Sequence, residues 1–144
     1  MPAEFFSHQV SIPRDTAHVW AQLNEAETWA HIGPVESVSD PVYDDNGLAS
    51  FQWSTSVGPR SFKGTAVRNR FEELEKLGFA LDAGEMTGFI STELDGDDEA
   101  TELVVTLNIE AKGLLSSMFF SVIRDAVGRG LPSQVDGFAT RIGS

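Results

Sequence analysis

Cysteine is absent from the chain, which excludes disulfide bridges, thiolate metal sites and a cysteine nucleophile. Basic residues are scarce: 10 Lys and Arg stand against 22 Asp and Glu, a formal net charge of −12. Nucleic-acid binding needs Lys and Arg to neutralise phosphates, and the few present are scattered rather than striped, so no nucleic-acid partner is expected. Anionic membrane surfaces are disfavoured for the same reason. No stretch approaches the ~20 unbroken apolar residues of a membrane span, so no integral membrane association is expected. The opening MPAEFFSHQV carries neither a basic segment nor an apolar one of the secretory kind, which makes the cytoplasm the expected location.

Metal and nucleotide motifs are missing too. His8, His18 and His31 are dispersed, with no HxH or HExxH spacing for zinc. The acidic stretches YDDNG and DGDDEA lack the ligand and glycine positions of a calcium loop and suit hairpin ends. There is no G-x-S-x-G elbow and no Gly-rich phosphate motif. No metal and no cofactor are expected.

What the chain does have is greasy bulk. Hydrophobic residues make up 41%, with ten Phe and three Trp, and a chain near 150 residues can bury roughly two-thirds of its unfolded surface. With no repeat and no linker, residues 1–144 are expected to form one domain.

The alternation in FFSHQVSI puts Phe6, His8, Val10 and Ile12 on one face of a first strand, which Pro13 ends. Asp15 is placed to cap a helix over about residues 16–23 that buries Val19 and Leu23. Asn24 and Glu27 suggest a capping box for a second short helix ended by Gly33-Pro34. Helices so short are unstable alone and must lean on a sheet. Six further strands are predicted at Val35–Tyr43, Leu48–Val57, Ser61–Phe71, Glu73–Asp82, Glu85–Leu94 and Thr101–Ala111, and Asn46-Gly47 signals the first hairpin. From residue 114 the period changes. Leu115, Met118, Phe119, Val122 and Ala126 form a helical stripe, with Gly128, Gly130 and Pro132 expected to kink or interrupt it.

The order strand, two short helices, six strands, long C-terminal helix resembles the helix-grip fold of the START-like (SRPBCC, polyketide cyclase-like) superfamily. The likeness is carried by VSIPRDTAHVWAQLNEAETWAHIGP, by GTAVRNRFEEL and by the terminal helix. It implies an α+β fold: a seven-stranded antiparallel curved sheet wrapped on a long C-terminal helix, with two short helices after the first strand. It also implies a ligand cavity between sheet and helix, with Trp29 at its end. Read from the apolar phase, Phe51, Trp53, Val67, Asn69, Phe71, Phe79, Met86, Ile90, Val105 and Leu107 face that space, opposed by Met118, Phe119 and Val122. Asn69 matches a polar, often acidic, cavity residue of the relatives; here it is an amide, suited to hydrogen bonding. Phe62 and Ala66 favour the opposite phase of the same strand, but keeping Arg68 and Arg70 unpaired inside would cost several kcal/mol, so the phase with both arginines outside is preferred. Abscisic-acid receptors carry a Gly-Leu-Pro gate where this chain has the tighter Gly58-Pro59, read as a turn.

Three functions remain open. The first is binding of a small hydrophobic or amphipathic molecule (lipid, isoprenoid, aromatic or polyketide-like). The second is a cyclase/aromatase-type enzyme using the same cavity, with Asn69 and His8 near one another inside it. The third is a partner-regulating module without a working cavity. Catalytic residues, ligand identity and oligomeric state are not legible.

Overall fold

A computed structural model describes residues 3–30, 32, 35–57, 60–112 and 114–143, with side chains throughout except at positions 57, 60, 114–119, 122 and 123. Seven strands, β1 (Ala3–Ile12), β2 (Ser37–Asp44), β3 (Gly47–Val57), β4 (Arg60–Glu72), β5 (Lys76–Asp82), β6 (Met86–Gly96) and β7 (Thr101–Ala111), form one antiparallel sheet. Their order is β1-β7-β6-β5-β4-β3-β2, so β2 to β7 make a meander and β1 returns to the side of β7. Between β1 and β2 lie helix α1 (Thr16–Leu23) and a 3₁₀ turn at Ala26–Trp29. Helix α2 (Leu114–Gly143) closes the chain.

The alternation read in β1 holds: Phe6, Val10 and Ile12 turn inward on the face that meets α2. Helix α1 buries Val19 and Leu23 as expected. Asp15 occupies the cap position, yet its side chain makes no capping hydrogen bond. The expected capping box is also corrected. Asn24 donates instead to the Trp20 carbonyl at 3.0 Å and accepts from the Leu48 amide at 3.2 Å, tying α1 to the β2–β3 hairpin. Without that cap the second segment makes only one 3₁₀ turn. Gly47 opens β3 at φ +112°, and a Cβ there would strike the Asn24 amide, so backbone conformation and tie both require glycine.

Of the kink or interruption expected in α2, the interruption does not occur. It runs continuously through Gly128, Gly130 and Pro132, because Val127, Leu131, Val135, Phe138, Ala139 and Ile142 bury one face against the core. Packing of that stripe outweighs the hydrogen bond proline removes. Ala126, expected on the inner stripe, is exposed, and Phe120 and Val127 take the inner face instead. The predicted stripe residues Leu115, Met118, Phe119 and Val122 lie outside the described side chains, as do Gly33-Pro34, Gly58-Pro59 and His31 outside the described residues. Among the described residues, no helix is long and apolar enough to cross a membrane.

Candidate functional site

Three β-bulges set which side chains reach the interior. Between β4 and β5, Arg68 pairs with Phe79 and Arg70 with Gly78, leaving Asn69 as the extra residue. One added residue reverses the alternation. Phe62 and Ala66 therefore face inward before the bulge and Phe71 after it, which resolves the conflict seen in the sequence. Of two further shifts in the β2–β3 pairing, the one between Val42 and Tyr43 leaves Ala49 as the extra residue and does the same for Leu48, which is buried in the same interior as Phe51 and Trp53.

Two expectations are corrected by this. Val67 is 52% exposed on the outer face, and Asn69 is exposed beside Gly78. Arg68, expected outside, is on the inner side, paired in register with the fully buried Phe79. Its guanidinium is not left unpaired. It donates to both Asp44 carboxylate oxygens and to the Leu48 carbonyl, and it stacks 5.1 Å over the Phe71 ring. The Arg68 hydrogen bond, followed by the Asn46 amide, holds the Asp44 carboxyl below its usual range. Arg70 does point out, bonded to Glu93 at 2.9 Å.

The other described candidates, Trp29, Phe51, Trp53, Phe79, Met86, Ile90, Val105 and Leu107, are all buried. Phe79 is their centre. Trp29 and Phe51 both meet its ring edge-to-face at 5.3 Å. The Trp29 indole donates to the Leu23 carbonyl at 2.9 Å, so the 3₁₀ turn hangs this aromatic from α1 and lowers it onto the sheet. Trp53 donates to the Thr65 carbonyl at 2.9 Å and lies flat across Gly64, where a Cβ would come within 2.8 Å of the indole. Both tryptophan N–H groups are thus satisfied within the protein, and the surface offered inward is aromatic carbon. Polar groups on this face are few. Thr92 donates to the Leu77 carbonyl at 2.8 Å, and Thr55 is buried beside Phe62 in register. Sequence reasoning misses Phe62, Thr55 and Arg68; the opposed phases of Phe62 and Phe71 are the signal of a bulge. Met118, Phe119 and Val122 remain outside the described side chains.

Helix α2 approaches this surface unevenly. Its backbone comes nearest to β1 and β7 on one flank and also meets β3 on the other. The inward residues of α2 and of the middle strands belong to one hydrophobic core. His8 bonds Asp136 of α2 at 2.8 Å within the β1–α2 contact, on the far side of the sheet order from Asn69 on β4. The pair needed for the enzyme reading is not assembled. His18 is held between the Arg14 guanidinium at 3.3 Å and the Ile142 carbonyl at 3.1 Å, away from the aromatic wall. Among the described residues, no group of His, Asp and Glu is arranged to hold a metal ion.

This architecture is shared with solved proteins of low sequence identity. A START superfamily protein from Mycobacterium smegmatis is 11% identical, with a TM-score of 0.71 over 96% of this chain and 98% of that one. The chain has the START-like helix-grip fold. TTHA0849 from Thermus thermophilus superposes with a TM-score of 0.75 at 15% identity, over 96% of this chain and 97% of that chain. The Zhui aromatase/cyclase from Streptomyces sp. R1128 does so at 0.63 and 15%, over 98% and 87%. No protein-family model and no curated protein matches the chain.

Proposed function

We propose that this START-like chain, folded as one domain over residues 1–144, binds a small apolar or amphipathic molecule between α2 and the inner faces of β4, β5 and β6. The observation that supports the reading is the apolar inner wall of the helix-grip fold, together with the nearest backbone approach of α2 to β1, β7 and β3. The middle strands carry Phe79, Ile90 and Met86 on the buried inner face, beside Trp29 and Phe51. A wall of aromatic and aliphatic carbon with few polar atoms suits a ligand recognised by burial, at about 25 cal/mol per Å² of apolar area removed from water. Val105 and Leu107 would face the ligand from β7, and Trp53 from β3.

Binding is preferred to catalysis on one specific ground. The fold has aromatase/cyclase neighbours, yet the His8–Asp136 pair sits in the β1–α2 contact and Asn69 faces outward. Arg68, the register partner of Phe79, is already neutralised by Asp44. Native mass spectrometry of freshly purified protein tests the proposal. A population carrying a non-covalent mass of lipid or aromatic size, removed by organic extraction and restored by adding the extract back, is expected. Bare protein that takes up none of a panel of fatty acids, isoprenoids and polycyclic aromatics would overturn it.

A further inference from the structure

The outer face of the sheet carries a continuous uncharged row. Following the register from strand to strand, Phe5 stands opposite Asn108, then Phe89, Ala80, Val67, Ser50 and Val42, crossing the whole sheet. Phe5, Val67 and Val42 are 64%, 52% and 55% exposed. Phe5 also stacks edge-to-face on Phe89 at 6.1 Å, and Asn108 is tucked away with its amide directed to the Glu4 carbonyl. The next row on one side runs uncharged through Ser7, Thr106, Ser91 and Gly78 and ends at Arg70, which Glu93 pairs. An exposed apolar strip on a chain of net charge −12 calls for an explanation.

We propose that this strip docks a partner protein segment with an apolar ridge bordered by Lys or Arg. Size argues for a segment. A row across seven strands and one across four, with rows about 6.7 Å and strands about 4.8 Å apart, give roughly 350 Å², less than half of what one side of a stable dimer contributes. Charge argues for a basic border and against a second copy of this chain. The row flanking Phe5–Val42 holds Glu110 and Asp82 and no cation, with Lys63 and Lys112 only one row farther out. The opposite border is balanced by the Arg70–Glu93 and Lys76–Glu72 pairs. Two copies face to face would oppose −12 with −12. Shape supplies an anchor point. Phe89 and Val67 flank the small Ala80 on strands about 9.6 Å apart, leaving a notch for one apolar side chain between them.

A fluorescein-labelled, 18-residue helical peptide of Leu and Lys serves as probe, with a Leu/Glu peptide of the same pattern as control. Anisotropy in 150 mM salt should give saturable binding of the Leu/Lys peptide, weakened at least tenfold by Val67→Ser and further by Val67→Lys. Phe5→Ser should weaken it several-fold. Both positions are exposed, and thermal melts of the variants should match the parent. Unchanged affinity in Val67→Ser, equal binding of the Leu/Glu peptide, or no binding of the Leu/Lys peptide at millimolar concentration would overturn the proposal. So would a sedimentation result showing a dimer that Val67→Lys dissociates, because the occupant would then be a second copy.

Discussion

Replacing Phe79 by alanine removes the side chain on which the inner wall converges. It is fully buried and touches Trp29 and Phe51 edge-to-face, with interplanar angles of 72° and 65°. Core Phe→Ala changes cost about 3–5 kcal/mol. Loss of two aromatic pairs, each contributing about 0.5–1.5 kcal/mol beyond area, places this one at the upper end, near 4–5 kcal/mol. For a chain of this size that is roughly 12–20 °C in Tm. Urea unfolding followed by tryptophan fluorescence should show the midpoint falling with an unchanged slope. Because so large a loss approaches the total stability of many domains, Phe79→Leu provides a milder companion, expected to cost about 1–2 kcal/mol. A double-mutant cycle with Trp29→Leu should return a coupling of about 0.5–1.5 kcal/mol. A Phe79→Ala loss below about 1.5 kcal/mol, or additivity within about 0.3 kcal/mol in the cycle, would refute the claim that Phe79 organises the wall.

Gly64→Ala should cost about 2 kcal/mol or more, since the added methyl meets both the Trp53 indole and the Asp82 carbonyl; a shifted Trp53 emission spectrum would report the displacement. Asp44, Asp97 and Glu102 all have carboxyls held below their usual range, by Arg68, by the Glu99 amide and by Gln9 respectively. A carboxyl lowered on folding lends stability above its unfolded pKa and loses it as pH falls through the folded value. Stability should therefore decline on the acid side of about pH 4, and Asp44→Asn should flatten that decline in pH-dependent melts; an unchanged acid slope would contradict the Arg68 pairing. Asn69→Ala should leave stability within about 0.5 kcal/mol and uptake of any interior ligand unaltered, as an outward residue must. A loss of uptake would return Asn69 to the cavity.

The fold is legible in the sequence because the alternation is regular where the strands are regular. The phase of β1 from Phe6 to Ile12 and of β7 from Leu103 to Ile109 matches the structure, and α1 matches to its ends. The reading fails where one residue is inserted. Nothing local distinguishes Asn69 as a bulge, and the cost of an unpaired buried arginine points to the wrong phase because Asp44, 24 positions earlier in the chain, supplies the partner. The interruption expected at Gly128–Pro132 fails for a similar reason. Propensity is local, whereas the stripe from Val127 to Ile142 is stabilised above all by β1, at the other end of the chain. Asn24 reads as a helix cap, and its use as a tie to Leu48 depends on a hairpin 24 residues away.

The most direct test is the position of a guest relative to the two faces of the sheet. With methyl-labelled protein and a bound fatty acid or polycyclic aromatic, intermolecular NOEs should arise at Ile90, Val105 and Leu107, on the inner face. NOEs confined to the outward Val67 and Val42, or none at all under saturating ligand, would contradict a molecule held between α2 and the middle strands.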